Sequence, residues 1–174
     1  NYVMPKFTRA CVGTNNIDNC ARTCHGPSVI GLIDTLGSGA MSVSIPGLEE
    51  ADCILLIGYT PAASHPIVAS RIVKARERGA KIIVVDPRVI ETARIADIHL
   101  QIKNGSNLAF LNAMANVIVK EGLHDKEFID AHTEGFDEWL EVVERYTPEY
   151  SAEICGVEAD AIREAARMYA TAES

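Results

Sequence analysis

The sequence predicts an α/β protein with an open, mainly parallel sheet flanked by helices and continued by a helical, acidic C-terminal part. Three observations predict it. Two short apolar runs, 52–58 (Asp-Cys-Ile-Leu-Leu-Ile-Gly) and 80–86 (Ala-Lys-Ile-Ile-Val-Val-Asp), are bounded by Gly, Asp and Pro and read as central parallel strands covered on both faces. A helical pattern joins them within about 35 residues, the size of a right-handed βαβ unit. From residue 125 onward the apolar spacing is helical, and residues 121–174 carry 4 Lys/Arg against 15 Asp/Glu.

Taken in chain order, residues 2–12 read as a helix, followed by an exposed polar loop and a second helix that starts near Pro27. The strand at 52–58 comes next. Ser64 is placed to cap a helix through Arg78, with Ile67, Val68, Ile72 and Val73 at helical spacing and Gly79 as its stop. After the strand at 80–86, residues 97–102 (Asp-Ile-His-Leu-Gln-Ile) alternate, as a strand at a sheet margin does. Ser106 or Asn107 caps a helix through Lys120, whose stripe is Leu108, Leu111, Met114, Ala115 and Ile118. Helices follow at 125–132, 136–146 and 159–172, with Thr147-Pro148 and Gly156 as breaks and Trp139 as an apolar anchor. The whole is a Rossmann-like arrangement in a single domain, 1–174, whose next strand is expected outside this stretch. With Asn1 in first place and no signal pattern, the chain reads as a fragment of a larger subunit.

Composition narrows the function classes. The 174 residues are 48% hydrophobic and 23% charged, which excludes a disordered or collagen-like chain. No apolar run approaches the ~20 residues of a spanning helix. The net charge of −8 argues against nucleic acid as a partner. Residues 1–120, with 12 Lys/Arg against 9 Asp/Glu, are the better home for an anionic ligand. Five cysteines, an odd number with Cys53 inside a strand, suit a reducing compartment such as the cytoplasm.

The densest polar segment is Thr14 to Ser28, which contains Cys20-Ala21-Arg22-Thr23-Cys24-His25-Gly26-Pro27. A thiol just before a helix N-terminus, beside Arg22 and His25, is inclined to ionise. The chemistry open to Cys24 is nucleophilic attack with His25 as base, ligation of a soft metal, or none. Side chains at i and i+1 diverge, which disfavours the first, and the C-x3-C-H spacing is not that of a zinc knuckle. An inert turn cysteine and a lone thiolate to a metal held mainly by something else stay side by side.

Ligands of open α/β sheets bind beyond the carboxyl ends of the strands. The loop after the first strand, with Gly58, Thr60 and Ser64, lacks the G-x-G-x-x-G dinucleotide pattern but leaves room for phosphate. After the second strand, Val85 leads into Asp86-Pro87-Arg88, where a carboxylate suits a purine edge and a guanidinium suits phosphate; a salt-bridged turn is the plainer alternative. Lys103-Asn104-Gly105-Ser106-Asn107 forms a third loop. His99, His124 and His132 read as isolated surface or partly packed residues.

The segments Ala21 to Val29, Ser64-His65-Pro66, Val85 to Arg88, Thr92 to His99 and Lys103 to Asn107, together with Thr147-Pro148-Glu149 and Ile162 to Tyr169, resemble the molybdopterin oxidoreductase family. Within it, the resemblance is to the catalytic subunit of formate dehydrogenases, and it runs nearly end to end. It implies a bis-molybdopterin guanine dinucleotide cofactor with molybdenum or tungsten, of which this domain grips one dinucleotide. Cys24 matches the cysteine or selenocysteine that ligates the metal, and His25 the proton-handling histidine. Val85, Asp86, Pro87 and Arg88 match the loop at the guanine end, while Thr60, Ser64, Gly105, Ser106 and Asn107 match phosphate and ribose contacts. Thr60 and Ala63 depart from the Asn and Asp of some relatives.

By the same resemblance the partners are formate and CO2, with an iron–sulfur subunit or ferredoxin-like acceptor. A 4Fe-4S cluster, the second dinucleotide domain and a substrate-orienting arginine are expected outside this stretch. The alternatives are a non-catalytic nucleotide- or anion-binding module, or another family member such as a nitrate reductase.

Overall fold

The computed structural model describes residues 2–173, which fall into two compact units divided between Val43 and Ser44.

The first unit is helical. Helix α1 (Val3–Phe7) runs into a π-helical turn, Thr8–Val12, ended by Gly13 at φ 77°. A short α2 (Ala21–Cys24) precedes α3 (Gly26–Leu36), which has Pro27 in its first turn and Gly37 in the left-handed conformation at its end. Both expected helices are present. None of residues 2–43 is buried.

The second unit is built on a parallel sheet of order β1-β2-β3. Strand β1 (Cys53–Ile57) pairs with β2 (Lys81–Val85) from Cys53 opposite Lys81 to Ile57 opposite Val85. Strand β3 (Ile98–Leu100) pairs with the other side of β2, Val85 opposite Leu100. The continuous apolar run of β2 is explained by cover on both faces. Ile83 and Val85 join Leu100, Ile102 and the helices α6 (Asn107–Lys120), α9 (Pro148–Cys155) and α10 (Ala159–Ala170) in one cluster. Ile82 and Val84 join Ile54, Leu56 and, from α5 (Pro66–Glu77), Ile72 and Ala75 in the other. Ile82 to Val85 are 0% exposed. The remaining helices are α4 (Pro61–Ser64), α7 (Lys126–His132) and α8 (Phe136–Val143).

Several expectations are corrected. Strand β1 is not central among the described strands: it pairs on one side only, and its residues alternate between half-buried and buried. The helix expected from a Ser64 cap through Arg78 is present as α5 but begins at Pro66, and the short α4 precedes it. Pro66 has no N–H to bond across the junction, and His65 before it is driven out of the helical region to φ −144°, ψ 70°. Ser64 therefore closes α4 and caps nothing. Thr147-Pro148, expected as a break, begins α9: the Thr147 hydroxyl accepts from the Tyr150 N–H at 3.2 Å, and Pro148 takes the first helical position.

The stripe of α6 is also rotated. Leu108 is 66% exposed, and the buried face is Ala109, Phe110, Ala113, Met114 and Val117. The helix is apolar nearly all round, so spacing alone left its phase open, and packing favoured the bulk of Phe110. Trp139 is 41% exposed; Val143, fully buried, anchors α8. Among the described residues no helix is long and apolar enough to cross a membrane.

Candidate functional site

Because the three strands are parallel, their carboxyl ends share one rim. After β1 the chain turns at Gly58 (φ 57°), whose N–H donates to the Val85 carbonyl at 2.9 Å. That carbonyl is what Val85 offers the rim, for its side chain lies in the core. Ser64 is exposed, with its hydroxyl donating to the Thr60 carbonyl at 2.9 Å and standing 3.2 Å from Nδ1 of His65.

Asp86 is 3% exposed at the end of β2. Its Oδ1 accepts the Arg88 N–H at 2.8 Å and faces Arg88 Nε at 3.4 Å. Pro87 stands between them with no N–H to give. The Arg88 guanidinium goes on to donate from Nη2 to the Thr60 hydroxyl at 2.7 Å, joining the first loop to the second. This 28-residue link lay outside sequence reasoning, which sees neighbours along the chain. Two side chains of the third strand segment also reach this loop: His99 Nε2 lies 3.0 Å from the Asp86 carbonyl, and Gln101 Nε2 donates to the Pro87 carbonyl at 2.9 Å.

The third loop turns at Gly105 (φ 84°). Ser106 is buried, and its hydroxyl donates to the Lys103 carbonyl at 2.6 Å, so the expected side-chain cap of α6 is not made. Asn107 opens α6 and is exposed. At both Gly58 and Gly105 a built Cβ would meet nothing within 4 Å, so each turn faces open space. The structure thus gathers Thr60, Ser64, Val85, Asp86, Pro87, Arg88, Gly105, Ser106 and Asn107 around one edge of the second unit.

Cys24 and His25 belong to the first unit. Cys24 ends α2, and His25 links it to α3 with φ −116°, ψ −12°; both are exposed. The helical turn forms because the Cys24 N–H finds the Cys20 carbonyl at 3.0 Å and the His25 N–H the Ala21 carbonyl at 3.2 Å. Arg22, expected to act on the thiol, is paired with Asp18 at 3.0 Å. The Asn19 N–H and then that guanidinium hold the Asp18 carboxyl below its usual range. All five cysteines are free. Burial pushes the Cys53 and Cys155 thiols up, which suits packing rather than ligation.

Residues 1–172 match a family model described as Molybdopterin oxidoreductase. The chain belongs to that family. Formate dehydrogenase H of Escherichia coli is 58% identical over 174 residues, covering 100% of this chain and 24% of that protein. A formate dehydrogenase subunit alpha of Methanocaldococcus jannaschii is 52% identical over 173 residues, 99% of this chain and 26% of that one. Among solved structures, acetylene hydratase from Pelobacter acetylenicus matches with a TM-score of 0.74 and 35% identity, over 85% of this chain and 20% of that one. The chain therefore spans about a quarter of the curated relatives it matches.

The molybdopterin oxidoreductase family implies a molybdopterin cofactor with molybdenum or tungsten, and the residues present fit such a group. The fit rests on donor chemistry. On the second unit a buried carboxylate takes both of its hydrogen bonds on Oδ1 and two glycine turns open onto free space; on the first unit, taken by itself, Cys24 is an exposed free thiol of the soft type these metals accept.

Proposed function

We propose that this chain is part of the catalytic subunit of a molybdenum or tungsten formate dehydrogenase, which oxidises formate to CO2. Formate gives up one proton and two electrons in that reaction. The proposed cofactor is bis-molybdopterin guanine dinucleotide, and residues 1–174 belong to one of its dinucleotide-binding domains. Bound, the cofactor supplies the two-electron chemistry at its metal.

The chain's own residues hold and orient. Cys24 offers its thiolate as the protein's ligand to the metal. His25, next to it and exposed, accepts the proton. Asp86 accepts from the donor edge of guanine, the pairing a carboxylate makes best. Arg88, steered by Asp86 and Thr60, offers its remaining donors to phosphate. Ser64, Gly105, Ser106 and Asn107 line the phosphate and ribose, the buried Ser106 by shaping its turn. Electrons leave through a 4Fe-4S cluster elsewhere in the full-length subunit to an iron–sulfur subunit or ferredoxin-like acceptor. Five free cysteines support a reducing, cytoplasmic setting.

One observation carries this reading: 58% identity to a formate dehydrogenase across all 174 residues. The test uses the full-length protein. Purified enzyme is expected to hold molybdenum or tungsten with two pterin equivalents, and Cys24→Ala to abolish formate turnover while leaving guanine dinucleotide bound. A metal-free protein that binds only free GMP or GDP would instead mark a nucleotide-binding module.

A further inference from the structure

The pairing of β2 with β3 ends at Val85 opposite Leu100, one residue before the loop that reads the cofactor. The Asp86 N–H still donates to the Leu100 carbonyl at 3.2 Å. Pro87 then fixes its own φ and has no N–H, so the backbone leaves the ladder. The carbonyls of Asp86 and Pro87 point toward β3 and its continuation at the place where ladder partners stop. Two side chains take over: His99 Nε2 at 3.0 Å from the Asp86 oxygen and Gln101 Nε2 at 2.9 Å from the Pro87 oxygen. Residues i and i+2 of an extended chain project to the same side, which is why one strand serves both carbonyls.

We propose that His99 and Gln101 are positioning residues for the cofactor loop, clamping the two carbonyls that set the direction of the Asp86 carboxylate. The proposal rests on the reading of Asp86 as the guanine contact. The chain of constraint is short. A carbonyl only accepts, so His99 carries its proton on Nε2, as the neutral tautomer or as imidazolium. With both carbonyls held, the 86–88 backbone is held, and the Arg88 N–H aims Oδ1 at 2.8 Å. The far end is tied by Arg88 to Thr60. Both side chains work at or near the surface, where a hydrogen bond adds little to global stability; their effect is local, on how often the loop opens.

The test compares full-length enzyme with His99→Phe and Gln101→Met, which remove the donor while keeping bulk, and His99→Gln, whose amide returns an N–H near the Nε2 position. Amide hydrogen exchange at Arg88 reports the clamp, and the rate at which guanine dinucleotide is lost on dilution, read as GMP released by acid, reports its consequence. Both donor-less variants are expected to exchange Arg88 roughly five- to tenfold faster and to lose dinucleotide correspondingly faster. The amides of Ile82 to Val85 serve as the folding control and stay as protected as in the parent. His99→Gln returns both rates to within about twofold, and the KM for formate of molecules that retain cofactor is unchanged.

Unchanged Arg88 exchange in both donor-less variants overturns the clamp, as does a His99→Gln variant no better than His99→Phe. Faster exchange with unchanged dinucleotide loss overturns the positioning role. If Asp86→Ala retains dinucleotide as well, the fault lies in the cofactor reading beneath it.

Discussion

A carboxylate with 3% exposure at a strand end needs partners, and the Asp86 carboxylate takes both of its partners from a single residue, Arg88. Replacing it with Asn keeps an oxygen for the Arg88 N–H but sets an amide donor where guanine would present its own donors. Asp86→Asn is therefore expected to fold normally yet retain about tenfold less guanine dinucleotide, in line with the loss of a charge-assisted pair. Guanine per metal in the purified full-length variant measures this. Residue types at a strand end pointed to Asp86 and Arg88, and a thiol just before a helix start pointed to Cys24, because chemistry follows from side-chain identity. Ser64 was misjudged through its neighbour: Pro66 turned the expected cap into a helix terminus. The Arg88 to Thr60 bond was invisible because its ends are 28 positions apart.

At the opposite end of the sheet, elements are locked by one half-buried knot of ion pairs. Asp97, just before β3, accepts the Ile82 N–H at 2.9 Å and Arg76 at 2.8 Å on Oδ2, and Lys81 at 3.0 Å on Oδ1. Burial pushes its carboxyl up, but the Ile82 N–H, Lys81 and Arg76 outweigh that and leave it below the ordinary value. A carboxyl depressed in the folded state stabilises above its unfolded pKa and loses that stabilisation as pH falls through the folded value. Asp97→Asn is thus expected to cost about 2 kcal/mol at pH 7, and its urea midpoint should fall less steeply than the parent's below about pH 4. A parallel decline of the two proteins would refute the knot. Thr147→Ala should cost about 1 kcal/mol by removing the α9 cap. Strand β2 was legible because cover on both faces writes a continuous apolar run. The phase of α6 and the start of α9 were less so: the first has apolar residues on every side, and in the second Thr-Pro can end one element or begin another.

For the whole molecule, the apolar driving force is unevenly shared. Both buried clusters lie between Ala51 and Met168, while Val3, Phe7, Ile30, Ile33 and Leu36 in the first unit stay more than 40% exposed. Apolar residues run through both units, so composition alone did not reveal this; burial depends on which faces meet. A helix of 11 residues such as α3 is marginal alone in water, where nucleation is costly and nothing covers the apolar face. Residues 44–174 are therefore expected to fold as an independent cooperative unit, with a thermal midpoint within a few degrees of the 174-residue chain. A peptide of residues 1–43 should show mainly non-helical far-ultraviolet circular dichroism and no cooperative melt. A sharp transition in the isolated peptide, or the loss of one in residues 44–174, would show that the burial seen here does not govern stability. On that expectation Cys24 and His25 sit on a part of the chain that does not fold by itself, so the geometry of the proposed catalytic pair would depend on what packs against residues 1–43 in the full-length enzyme.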